Sequence, residues 1–235
     1  MSGFSTRKTT TAGGLLAASG VAILMGIITA EALYPAVYTT FANEISDLGS
    51  TRPPDPVILQ PSATIFDTLM VVTGVLVLIA SWLLLASRSE SLGRPLLVVP
   101  TALLGLGLLG VGVFPGNVGA IHPWFALLAF VSGGVAAVAG GVVSTGPARW
   151  FCVTLGLISL VTLTYVLLAG LDAPIVQSLG DGGAERWVAY PVVLWLVLFG
   201  GVLLGADVAK DQKPVSPEWG IVAHSSTPSG RPNNQ

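Results

Sequence analysis

Long runs of apolar residues alternate with short polar connections along this chain of 235 residues. The clearest runs extend from Thr68 to Ala86, Leu96 to Phe114, Pro123 to Val143, Trp150 to Gly170 and Trp187 to Ala206. At a helical rise of about 1.5 Å per residue, each covers the roughly 30 Å hydrocarbon core of a bilayer. Asp, Glu and Lys enter these runs only at their margins. A further run begins at Leu15 and continues through Glu31 to Tyr38. The period-two alternation over about ten residues that marks a membrane β-barrel strand is missing. The pattern predicts an all-α, polytopic transmembrane six-helix bundle, with spans over about 15–38, 62–86, 95–115, 122–144, 149–171 and 187–208. Residues 1–14 precede this 15–208 domain, and 209–235 follow it.

The first run has a second reading. Arg7 and Lys8 precede an apolar stretch ending in Ala30-Glu31-Ala32, which imitates the small-x-small site of a cleaved signal peptide and would leave five spans. Apolar character resumes after Glu31 with Ala32, Leu33, Tyr34, Ala36 and Val37, which favours a retained helix. With six spans, Arg7, Lys8, Arg88, Arg94, Arg149, Lys210, Lys213 and Arg231 fall on one side, and Arg52 and Arg186 alone on the other. The positive-inside rule then predicts both termini in the cytoplasm, N-in and C-in, for a multi-pass protein of the cell membrane. Trp124, Trp187, Tyr38 and Tyr190 near the outer boundary, and Trp82 and Trp150 near the inner one, fit the belts where amphipathic rings settle.

Composition agrees with this class, with 52% hydrophobic and 9% charged residues. After Lys213 the sequence turns to Pro, Ser, Gly and Asn, too polar to offset the entropy of ordering, and reads as a flexible cytoplasmic tail in which His224 is solvated. Cys152 is the single cysteine, so a disulfide within the chain and a thiolate metal cluster are excluded, and it reads as a small buried residue. No cofactor or metal is expected. A net charge of −2 argues against a nucleic-acid partner. Small residues at four-residue steps, Gly133, Ala137, Gly141 and Gly201, Gly205, read as close helix packing. Gly105, Gly107, Gly110 and Gly112 admit either packing or a hinge in the third helix.

Charge inside the spans carries the functional signal. Glu31 and Asp67 each fall roughly 10 Å below the outer boundary by helical rise. A carboxylate facing lipid costs a few kcal/mol, so both are expected to face the bundle interior and share one polar pocket. Tyr34 and Tyr38, at three and seven residues after Glu31, would add phenolic hydrogen bonds from the same helical face. The outer loops supply Asn43, Glu44, Ser46, Asp47 and Arg52, then His122, Asp172 and Glu185-Arg186. Glu44, Asp55 and Asp181 read as ordinary solvated charges or helix N-terminal carboxylates. The ligand-binding candidates are Glu31, Tyr34, Asn43, Ser46, Asp47, Asp67, His122, Glu185 and Arg186.

Several of these residues sit in recognisable strings: Tyr34-Pro35, Asn43-Glu44-Ile45-Ser46-Asp47-Leu48-Gly49, Gly112-Val-Phe-Pro-Gly116, His122, and Gly183-Ala-Glu185-Arg186-Trp187-Val-Ala-Tyr190-Pro191. In these the chain resembles, over about residues 15 to 208, the bacterial and archaeal membrane family catalogued as domain of unknown function 998. The resemblance implies six helices with a polar site at one membrane face, and brings no activity with it. More remotely, the architecture is similar to the Frag1/DRAM/Sfk1 membrane proteins, associated with lipid remodelling and organisation, a likeness of fold alone.

Handling of an outer-leaflet lipid or amphiphile is the favoured expectation. Its head group would be held by Asp47, His122, Glu185 and Arg186, with Arg186 available for a phosphate. An enzyme with His122 as general base is less favoured, because one membrane-side histidine cannot build a three-histidine zinc site and Ser46 lies in no nucleophile motif. A proton- or cation-coupled transporter would use Glu31 and Asp67 as relay groups, but the inner halves of the spans lack polar residues to continue the path. An accessory subunit contacting a membrane-protein partner through its outer loops is the remaining expectation. Besides the lipid bilayer, the partners expected are a bound lipid or such a membrane protein.

Overall fold

The computed structural model describes residues 3–87 and 93–211, with side chains over 7–87 and 95–205. The expected tail beyond residue 211, with His224, and Arg88 of the basic side lie outside the described residues. Among the described residues seven α-helices follow in order: α1 (Gly3–Ala32), α2 (Ser62–Ala86), α3 (Gly93–Val113), α4 (Ile121–Val143), α5 (Gly146–Ala169), the short α6 (Pro174–Leu179) and α7 (Asp181–Asp211). All but α6 are long and apolar enough to cross a membrane. They pack as a closed ring in which each helix touches its neighbours in sequence and α7 returns to α1, with α4 also reaching α7 across the middle. One end of the bundle, here the site end, carries the connections after α1, α3 and α5. The opposite end carries the chain start, and there Lys8 Nζ donates to the Ala86 carbonyl at 3.3 Å.

Helix ends depart from the apolar pattern where local chemistry intervenes. The first span was expected to reach Tyr38 but ends at Ala32. Pro35 explains this, because it lacks an N–H and disfavours helical geometry at Tyr34 before it. The chain closes with a tight bond from Tyr34 N–H to the Glu31 carbonyl, at 3.2 Å. Tyr34 and Tyr38 therefore lie beyond the helix rather than on a face shared with Glu31. The last span begins earlier than expected, at Asp181. Gly180, with φ of 74°, makes the turn there, and an acidic first residue suits the positive end of the helix dipole. Pro191 lies inside α7 without ending it. Beside this break in the ladder, the buried Ser159 hydroxyl of α5 donates to the Val188 carbonyl at 2.8 Å.

The core is built from apolar side chains around Trp195, Leu196 and Phe199 of α7, with Leu16 and Ile27 of α1 and Leu104 of α3 fully enclosed. Trp195 stacks on Phe199 with ring centroids 5.4 Å apart. Small residues allow the backbones to meet: a Cβ on Gly74 would stand 2.8 Å from the Gly105 carbonyl oxygen, and one on Gly105 would stand 3.0 Å from that of Gly74. With Gly107 against Ala129 and Gly112 against α2, these α3 glycines are close-approach positions in a continuous helix. Gly133 likewise meets Val192, whereas Gly201 and Gly205 face open space. Cys152 is buried, and Trp82, Trp124, Trp150 and Trp187 are exposed on the surface that lipid would cover.

Candidate functional site

The strings Asn43 to Gly49, Gly112 to Gly116 and Glu185-Arg186 lie far apart in sequence but meet at the site end. Residues Ile45–Leu48 form a single 3-10 turn whose Ile45, Ser46 and Leu48 are buried. This turn plugs the ring. The backbone is held from several sides: Ile45 N–H donates to Glu185 Oε2, the Ser62 hydroxyl donates to the Leu48 carbonyl at 3.1 Å, and Gly182 N–H donates to the Phe41 carbonyl at 3.1 Å. Gly116 comes against the Ser50 carbonyl so closely that a Cβ would not fit, and Gly49 leaves the same minimal space beside Asp67.

Arg186 is the principal tie. Its Nη1 donates to the carbonyls of Asn43 and Gly182, each at 2.9 Å, and of Thr40 at 3.3 Å. Its Nη2 donates to Glu31 Oε1 at 2.6 Å and to the Tyr38 hydroxyl oxygen at 2.8 Å. The Tyr38 hydroxyl in turn donates to the Glu44 carbonyl at 2.9 Å. A planar guanidinium with five donors suits this convergence, which a point charge does not. Both Nη atoms of Arg186 are thus engaged in the plug, while its buried Nε has no hydrogen-bond partner. Asn43 also works locally, its Oδ1 accepting from Thr39 N–H at 3.0 Å.

Asp47 caps the plug, its Oδ2 accepting from Glu44 N–H at 3.0 Å. Glu44 pairs with Arg52 and accepts from the Ser46 hydroxyl at 3.4 Å, and is half-buried rather than the ordinary solvated charge expected. Burial pushes the carboxyls of both Glu44 and Asp47 above the usual range, outweighing Arg52 beside Glu44 and the Glu44 N–H on Asp47. Burial likewise raises the Tyr34 and Tyr38 phenols, so both remain protonated donors at neutral pH. Asp67 sits against Gly49 with Oδ1 buried and unpartnered, while Glu31 is bound to Arg186. No contact among the described residues joins the two carboxylates expected to share one pocket.

His122 is buried in the first turn of α4, and its Nδ1 lies 2.7 Å from the Phe114 carbonyl oxygen just past the end of α3. Stacking of Phe114 on Phe125, with centroids 5.4 Å apart, fixes the same turn. Beneath the plug is a central cavity of about 70 Å³. Its walls are apolar, with Ile27, Phe66, Leu104 and Val193 among them, and its polar lining is Ser46, His122 and Glu185. A second cleft of about 270 Å³ opens between α4, α5 and α7. Its polar end holds Glu44, Arg52 and Asp181, and its flanks are Leu127, Phe130, Leu163, Val166 and Leu167. The two spaces share Ser46, His122, Ala126, Phe130 and Glu185 as a common wall. The sequence names the polar members of this wall. The apolar cleft has no counterpart in it, because Leu and Val lining a cleft look like any other residues of a span.

Six long apolar helices packed as a bundle, with a polar plug at one end, define a multi-pass integral membrane protein. The family described as Protein of unknown function (DUF998) matches residues 16–202, and the chain belongs to it. No curated protein and no solved structure matches the chain.

Proposed function

We propose that the protein handles a lipid or other amphiphile of the outer leaflet, admitted sideways from the bilayer into the cleft between α4, α5 and α7. One observation carries this reading: the cleft is apolar along its helical flanks and polar at the site end, where it meets His122, Ser46 and Glu185. That gradient matches an acyl chain below a head group at the membrane boundary. The orientation, N-in and C-in with the site end outside, is supported by the excess of Lys and Arg in the connections and termini of the opposite end. Reporter fusions at either terminus, or labelling of a cysteine placed in the 39–61 connection, test it.

Of the expected head-group residues, His122 and Glu185 line the cleft, Asp47 supports the plug, and Arg186 anchors it. Native mass spectrometry of the full chain, released from nanodiscs of bacterial lipid extract, tests the reading. The expected result is a stoichiometric amphiphile on the native protein that is lost in Leu163→Trp, which fills the flank of the cleft. Retention by Leu163→Trp, or an empty native protein that also takes up no added amphiphile, refutes it.

A further inference from the structure

The common wall between cavity and cleft holds a polar atom without a protein partner. His122 is 2% exposed, and its Nε2 is buried with no hydrogen-bond partner. Its other nitrogen settles the tautomer. The Phe114 carbonyl 2.7 Å from Nδ1 has only lone pairs to offer, so the ring proton sits on Nδ1 and donates to it. In the neutral ring Nε2 then presents a lone pair, and only a hydrogen-bond donor satisfies it. Leaving such a group unpaired indoors costs free energy that a ligand recovers on binding.

The neighbours of Nε2 narrow the donor. Glu185 and Ser46 share the wall with His122, and the cationic Arg186, whose Nη atoms hold the plug, lines neither the cavity nor the cleft. A phosphate would meet a carboxylate and a lone pair there, both of the wrong sign. An ammonium would find its one counter-charge in the Glu185 carboxylate, one of whose oxygens already accepts from the Ile45 N–H, and would have to shed its water among side chains otherwise apolar, a penalty that such pairing does not repay. A hydroxyl supplies the donor without a charge, and the cavity volume of about 70 Å³ exceeds several-fold the about 10–15 Å³ that a single water needs. We infer that the ligand is an uncharged, hydroxyl-bearing amphiphile whose hydroxyl donates to His122 Nε2. This rests on the amphiphile reading above and specifies its head group.

The chain has two histidines, so His224→Ala makes His122 the sole imidazole. That protein, labelled at histidine nitrogen and placed in phosphatidylcholine nanodiscs, is titrated separately with dodecanol, dodecylamine, dodecyl phosphate and dodecane while the Nε2 resonance is followed by NMR. Dodecanol is expected to move the resonance in the direction of an accepted hydrogen bond, and to bind about tenfold more tightly than dodecane. The variant His122→Asn places an amide N–H near the position of Nδ1, preserving the bond to Phe114 while removing the Nε2 acceptor. Its thermal unfolding is expected to stay close to the parent, and its preference for dodecanol over dodecane, read by native mass spectrometry, to vanish. A larger response to dodecylamine or dodecyl phosphate overturns the hydroxyl and leaves the amphiphile cleft standing. Silence with all four probes, as for a water permanently seated on Nε2, overturns the hydroxyl, and the amphiphile cleft then stands or falls on the Leu163→Trp measurement above. An undiminished preference for dodecanol in His122→Asn overturns the role of Nε2.

Discussion

Replacing Arg186 by alanine removes the guanidinium that joins α7, the end of α1 and the connection carrying the plug. Five hydrogen bonds go with it, to Thr40, Asn43 and Gly182 carbonyls, to Glu31 and to Tyr38. The side chains of the ion pair are 8% and 22% exposed for Arg186 and Glu31, so solvent screens it little. Deleting one partner of such a pair costs about 3–5 kcal/mol, because the other is left charged and unmatched. At about 2–4 °C per kcal/mol for a chain of this size, the expected loss is about 6–20 °C in apparent Tm. Cys152, the single and buried thiol, provides the assay, since a thiol-reactive fluorophore labels it as the bundle opens. Arg186→Lys keeps a positive charge beside Glu31 but cannot span the carbonyls, and is expected to recover about half of the loss. Glu31→Gln should cost less than Arg186→Ala, and the double variant less than the sum of the two, by about 1–3 kcal/mol. A change below 2 °C in Arg186→Ala, accompanied by loss of bound amphiphile, would refute the structural assignment and restore Arg186 as a ligand contact.

The same glycine change should have opposite signs at two places. Gly74→Ala thrusts a methyl at the Gly105 carbonyl and should cost about 1–3 kcal/mol, while Gly201→Ala faces open space and should stabilise by about 0.5–1 kcal/mol, both read from Cys152 labelling on heating. Ser159→Ala leaves the Val188 carbonyl without its buried donor and should cost about 1 kcal/mol in the same assay. Burial raises the carboxyls of Glu44 and Asp47, so the folded plug holds their protons more tightly than the unfolded chain. Their contribution to stability is complete below the ordinary carboxylate range of about 4 and is lost as pH rises through the raised folded values. Amide-exchange protection of residues 45–49 should therefore increase on acidification from neutral pH, and the increase should disappear in Glu44→Gln/Asp47→Asn.

Six spans, their approximate limits and their membrane character were legible in the sequence, because a helix crossing a bilayer must be apolar over a fixed length whatever its neighbours do. Charges within or beside those spans, Glu31, Asp67, His122, Glu185 and Arg186, stood out for the same reason: burying them costs energy that some contact must offset. Which contact does so was not legible. Partner choice depends on residues more than a hundred positions apart, as in Arg186 to Glu31 and Ile45 N–H to Glu185. The early end of α1 is an intermediate case, since Pro35 carried the signal and the apolar count ran past it. Tertiary structure alone separated Asp67 from Glu31, made the Nη atoms of Arg186 a tie between distant segments, and left Nε2 of His122 without a partner. Sequence thus determined what had to be kept from water or lipid, through the local cost of transfer. Packing decided how each buried polar group was satisfied, because hydrogen-bond geometry is a property of neighbours in space.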